Sequence, residues 1–204
     1  MLLCLTAIVL YPGGRLHQMQ SVRYSFFKNF LSDLGRRVTF GGGDNRIGSQ
    51  VFFTSVILFV LGLSACLLGL IRVHRFAPPA RRWANVAGIA VALAGISLIA
   101  VAFTPLDESF RLHVALTDVA VNVLPAVSIL LGIAAQRDQR FPRQSAVAWM
   151  LLSVLLVFYL LVITWGPGLG SERGLGIHVT GQKIVVLATL IVISYQSWLA
   201  EKYL

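Results

Sequence analysis

The chain has 204 residues, 57% of them hydrophobic and only 12% charged, with a formal net charge of +9 and a mean hydropathy of +0.80. Soluble domains carry about 25% charged residues, so the composition excludes an ordinary water-soluble domain and specifies a membrane protein. The excess of positive charge favours contact with anionic lipid and gives no reason to invoke nucleic acid.

In chain order, the first apolar stretch is Met1–Tyr11. It is too short to cross a bilayer core, which takes roughly 17–25 residues. It lacks the basic start and small-residue cleavage site of a signal peptide, and Tyr11-Pro12-Gly13-Gly14 reads as a helix stop at an interface. We read it as a short first transmembrane helix, or the remaining half of one whose true start lies upstream. Within Ser21–Gly35, Phe27, Phe30, Leu31 and Leu34 recur at helical spacing opposite Asn29, Ser32, Asp33 and Arg36. That pattern predicts an amphipathic helix lying in the membrane plane, with Gly35 suited to a left-handed C-cap. Gly41-Gly42-Gly43-Asp44-Asn45 follows as a flexible turn, and no strand or Lys-Ser/Thr supports a phosphate-binding loop there.

Five stretches then reach spanning length: Ser49–Val73, Trp83–Phe103, His113–Ala135, Ser145–Trp165 and His178–Leu199. The expected fold is therefore an all-α polytopic membrane bundle, 1–204 as one domain, with six transmembrane helices and an interfacial helix. Cys4 and Cys66 lie far apart in apolar segments without metal-ligand spacing, so no disulfide framework is implied. The loop between the second and third helices carries Arg72, Arg75, Arg81 and Arg82; the loop between the fourth and fifth carries Arg137, Arg140 and Arg143. By the positive-inside rule these two loops, and with them both termini, are cytoplasmic in the cell membrane. The basic residues of segment 12–48 argue against that assignment and weaken it.

On this topology nearly all the unusual polar residues gather at the opposite, extracytoplasmic face. They are Ser32, Asp33, Asp44, Asn45, Asp107, His113, Asp118, Asn122, His178, Gln182 and Lys183. Lys183 stands five residues into the last apolar run, where an ionisable group is costly and invites a functional account; a long stem reaching the interface is the plain alternative. Asp118 on the fourth helix is its natural ion-pair partner, with a purely structural clamp as the competing account. His113 and His178 with Asp33, Asp107 or Asp118 would make a three-ligand zinc site, although no His-x-x-x-His pair is present. Ser32 and Asp33 would supply a nucleophile and a base, with His113 or His178 carrying the proton. Equally, Asp33 pairs locally with Arg36 or Arg37, and Thr104-Pro105 with Asp107 ends a helix. His17 and His74 sit in basic loops and signal nothing specific.

Tyr11-Pro12-Gly13-Gly14, Tyr24-Ser25, Asn29 through Arg36, Asn45 and Ser49, Thr104-Pro105-Leu106-Asp107 with His113, and His178 through Lys183 together resemble an uncharacterised family of bacterial six-helix integral membrane proteins. The family is a domain of unknown function, so the resemblance implies fold and topology and no reaction. The Ser-Asp-x-Gly element bears a fainter likeness to the Frag1/DRAM/Sfk1 membrane proteins, which are associated with lipid handling. Arg37 and the three glycines depart from the pattern expected after Arg36.

Two functions fit these residues. One is a lipid-directed hydrolase or transferase, with Asp33, His113 and His178 as catalytic groups and Ser32, Asn45, Asp107, Gln182 and Lys183 binding substrate. The other is a non-catalytic lipid-binding or accessory subunit of a larger membrane complex, in which the same groups lock helices or grip a headgroup. A transporter is disfavoured, because no inverted repeat is visible.

Overall fold

The structure is a computed structural model and describes residues 2–203. Its helices are α1 (Leu2–Leu10), a 3-10 helix (Leu31–Gly35), α2 (Arg46–Arg75), α3 (Pro78–Val101), α4 (Phe110–Arg137), α5 (Arg143–Trp165) and α6 (Glu172–Tyr203). Helices α2 to α6 are long and apolar enough to cross a membrane. The all-helical membrane bundle expected from the sequence is the fold observed. In hydrocarbon each backbone N–H and C=O must be satisfied within its own segment, which is why these apolar runs are helical. Helix α1, with nine residues, extends only about 13 Å.

The helix ends have local causes. Pro78 opens α3, where its missing N–H is no loss, and Thr104-Pro105 follows its end. Helix α6 begins earlier than its apolar run suggested. Ser171 caps it, accepting from the Gly174 amide at 3.1 Å in the usual N-cap manner. Lys183 consequently stands eleven residues into α6, roughly 16 Å from its start, rather than five.

The amphipathic helix expected over Ser21–Gly35 is not formed; only its last five residues are helical, as the 3-10 turn. Residues 26–28 form a turn closed by the Lys28 and Asn29 amides on the Ser25 carbonyl. Gly35 is not left-handed. Its lack of a side chain serves packing, since a Cβ there would stand 2.7 Å from the Phe53 ring.

The described chain forms two compact units. The first comprises Met1–Val60, Ser97–Asp118 and Val162–Lys183. Its core is Ala7, Tyr11, Leu34 and Phe52, with Ile8, Tyr24, Leu31 and Phe53 against them. Gly13 and Gly14 adopt positive φ of 115° and 89°; side chains there would strike the Ser21 carbonyl and the Gly41 amide, so only glycine lets these backbones approach.

The second unit comprises Leu61–Ile96, Val119–Leu161 and Ile184–Leu204. Ala80, Ala84, Ala87, Val91 and Ala94 form one buried stripe along α3, and such small residues let membrane helices pack closely. Polar contacts reinforce the packing. The Ser128 hydroxyl donates to the Trp149 carbonyl at 2.7 Å. Ser145 and Gln196 share two bonds, Oγ to Oε1 at 2.6 Å and Nε2 to the Ser145 carbonyl at 2.9 Å. Outward residues such as Ile89, Leu151 and Val154 are exposed, as expected of surfaces that meet lipid.

Candidate functional site

Several polar residues of the first unit, Asn29, Asp33, Asn45, Asp107, Gln182 and Lys183, converge on the segment from Tyr11 to Asn45 by holding its backbone. Asn29 is the centre. Its carboxamide accepts from the Ser25 amide at 3.0 Å and donates to the Gly14 carbonyl and to Asp33 Oδ2, both at 3.1 Å. Its main-chain carbonyl accepts from Lys183 Nζ at 2.7 Å and from the Tyr24 hydroxyl at 3.2 Å. One residue earlier on α6, Gln182 Oε1 accepts from the Leu31 amide at 2.9 Å. Two consecutive side chains of α6 therefore grip residues 29 and 31. Asn29, Asp33 and Lys183 are all buried, and Lys183 also lies 4.9 Å from the Phe26 ring centroid, within cation–π range.

Asp33 receives the Phe30 amide at 2.9 Å on the same oxygen that Asn29 reaches, so it caps the 3-10 helix. Burial pushes its carboxyl up to about 6, against the lowering pull of the Asn29 and Phe30 hydrogen bonds and the Arg36 and Lys183 charges. The Tyr24 phenol is pushed well above its ordinary range by burial and by the Asp33 charge, which keeps it a donor. The local pairing of Asp33 with Arg36 or Arg37 does not form. Arg36 donates to the Val38 carbonyl and covers the Phe40 ring, and Arg37 pairs with Glu108 at 3.0 Å.

The other expected site residues have similar duties. Asp107 caps the chain with both oxygens, accepting from the Arg37 amide at 3.0 Å and the Val38 amide at 2.8 Å. Asn45 donates to the Leu34 and Arg36 carbonyls at 3.0 and 2.8 Å. Its Oδ1 is buried with no hydrogen-bond partner and lies where any side chain at Gly48 would strike it. His113 Nδ1 lies 2.6 Å from the Thr104 carbonyl, and His178 Nε2 2.8 Å from the Pro167 carbonyl. Each imidazole thus ties its helix to the loop before it. Ser32, half-buried, sits in the 3-10 helix between these contacts. The turn at Gly41–Gly43 is fixed by the Gly42 amide on the Thr39 carbonyl and the Thr39 amide on the Gly43 carbonyl.

The partner found for the Lys183 ammonium is the Asn29 carbonyl. Asp118 has interactions of its own and is exposed on α4, on the same face as Arg111 and Ala115. Among the described residues, no three His, Cys, Asp or Glu side chains gather in a group able to hold a metal ion. A groove of about 400 Å³ in this unit is lined by Leu2, Leu3, Ser55, Leu58 and Phe59, and none of the polar site residues contributes to it.

A second polar cluster, which sequence reading missed, lies in the second unit. His74 Nδ1 and Asp138 Oδ2 are 3.0 Å apart, and each side chain is 1% exposed. Arg140 donates to Asp138 through Nε at 2.9 Å and Nη2 at 2.8 Å, and also to the Val73 carbonyl at 2.8 Å. The His74 ring packs on Phe141, 4.7 Å between centroids. Burial raises the Asp138 carboxyl, but hydrogen bonds from Arg140 and His74 outweigh it and hold the group below its usual range. The lone acid in an arginine-rich loop was the available signal.

The fold defines a helical integral membrane protein, with buried polar groups that bind its own backbone in the first unit and one another in the second. No protein-family model, curated protein or solved structure matches the chain.

Proposed function

We infer that this protein is a non-catalytic accessory subunit of the membrane, in which the polar cluster is a lock that shapes residues 11–45 into a fixed surface. One observation carries the reading: the Lys183 ammonium is bonded to the Asn29 carbonyl at 2.7 Å while the Asn29 side chain binds Gly14, Ser25 and Asp33. A hydrolase or transferase needs an acid, base or nucleophile turned toward space where substrate can sit. Here Asp33 and Asp107 accept main-chain amides, and His113 and His178 each place one ring nitrogen on a main-chain carbonyl.

Asp118 supports the accessory role. It lies eight residues beyond the start of α4, about 12 Å along the helix, and it is exposed. Carboxylates inside membrane spans almost always face protein or water; Asp118 has interactions within the chain, and a neighbouring protein helix would cover the part of it that stays exposed. The arginines at 72–82 and 137–143 favour the cytoplasm for that end of the chain, and with it both termini.

The test is purification in mild detergent, with native mass spectrometry and incubation with a labelled lipid extract. A stoichiometric protein companion, lost on Asp118→Leu, is the expected result. A lipid product that accumulates with wild type and not with Asp33→Asn would overturn the reading.

A further inference from the structure

The second unit carries eight lysines and arginines against two acids, Asp138 and Glu201. Asp138 is already engaged, bonded to His74 and to Arg140. The same contacts bring the basic hairpins together. Asp138 and Arg140, in the loop between α4 and α5, reach His74 and the Val73 carbonyl at the end of α2. Arg81 of α3 donates to the Arg75 carbonyl at 3.0 Å. These bonds also satisfy carbonyls that a helix C-terminus leaves open. What remains around them is Arg72, Arg82, Arg137 and Arg143, all exposed and none in an ion pair among the described residues. Arg82 lies over the Trp83 ring at 4.8 Å.

We propose that these two stapled hairpins form a binding surface for anionic phospholipid headgroups, with Arg72, Arg82, Arg137 and Arg143 meeting the phosphates. Its arginines belong to the second unit and the polar lock to the first, and the site rests on the inference that this chain spans a membrane. Position selects lipid over a soluble anion: each of the four arginines lies within a few residues of the end of a helix apolar enough to span, at headgroup depth. Arginine suits the ligand, because its planar fork binds phosphate oxygens in pairs. The staple distinguishes the surface from loose positive charge, since it fixes two hairpins in one arrangement and neutralises the acid that would repel phosphate.

The test is native mass spectrometry of the full chain from mixed phosphatidylglycerol and phosphatidylcholine. Wild type should retain phosphatidylglycerol preferentially. The combined Arg72→Gln, Arg137→Gln and Arg143→Gln variant should lose about fivefold of that preference per arginine. Arg15→Gln, Arg23→Gln and Arg46→Gln together remove the same charge from the first unit and should leave the preference intact; an equal loss there overturns the site. Should the triple variant fail to fold, Arg72→Gln, Arg137→Gln and Arg143→Gln made singly should each cost about fivefold of the preference, and no loss from any of them would refute the assignment. Asp138→Asn adds net positive charge yet should lower the preference by releasing the staple; a rise would mean bulk charge alone. Millimolar inorganic phosphate should not displace the lipid, and displacement would assign the surface to a soluble anion. Catalysis elsewhere on the chain would leave all these outcomes unchanged.

Discussion

The ammonium of Lys183 and the main-chain carbonyl of Asn29 meet at 2.7 Å across 154 residues of sequence. That bond converts an expensive membrane charge into the fastener of a loop. With Gln182 on the Leu31 amide, it fixes the segment that the apolar pattern alone would have laid flat as a helix.

Replacing Lys183 with Met should therefore loosen the loop before it disturbs the bundle. A hydrogen bond to a charged group contributes about 1.5–3 kcal/mol, so a loss of about 2 kcal/mol is expected. Hydrogen exchange should rise across residues 25–35. Combined with Asp118→Leu, the effects should add within about 0.5 kcal/mol. Coupling well above that would restore the Asp118–Lys183 ion pair.

Asp33 makes the first unit sensitive to pH in a defined direction. Its folded-state pKa, about 6, lies above the ordinary value of 3.8. The stability tied to its proton is thus fully present below about pH 4 and is lost as pH rises through about 6. Wild type should gain about 2 kcal/mol relative to Asp33→Asn on going from pH 8 to pH 4. Thermal unfolding of both proteins across that range measures it, and parallel profiles would refute it.

Asp107→Ala removes the acceptor for two adjacent amides, Arg37 and Val38. About 1 kcal/mol for each bond is the usual scale. The readout is local: trypsin should cut faster after Arg36 and Arg37. Glu108→Gln, which breaks only the half-exposed pair with Arg37, should change stability by less than about 1 kcal/mol and leave the cleavage rate near wild type.

In the second unit, Ser145 and Gln196 should couple. Polar contacts between membrane helices average about 0.6 kcal/mol, and this pair shares two bonds. A double-mutant cycle with Ser145→Ala and Gln196→Ala should return about 1 kcal/mol. A value near zero would mean that both side chains find other partners.

Much of the bundle was legible because lipid makes a simple demand. An apolar run of spanning length must be a helix, whatever its neighbours, and α2 to α6 follow. Boundaries were less legible where glycines hid a cap, as at Ser171 before α6. Residues 21–30 show the other failure. Their apolar residues recur at helical spacing, yet the Tyr24, Asn29 and Asp33 side chains bond the backbone at Gly14, Ser25 and Phe30. Polar side chains that offer the backbone alternative partners compete with the helix, and periodicity does not register that competition. His74 and Asp138 looked ordinary for the same reason: each is unremarkable until the two hairpins meet.

The sequence by itself determined the solvent of this protein and its five long helices, since hydropathy and composition are additive along a chain. Only the tertiary structure decided what those polar groups do. Lys183 could be read as an ion-pair partner, a substrate ligand or a snorkelling stem, and spacing could not choose among them. A hydrogen bond requires an acceptor within about 3 Å, and the acceptor at Asn29 is brought there by folding rather than by sequence.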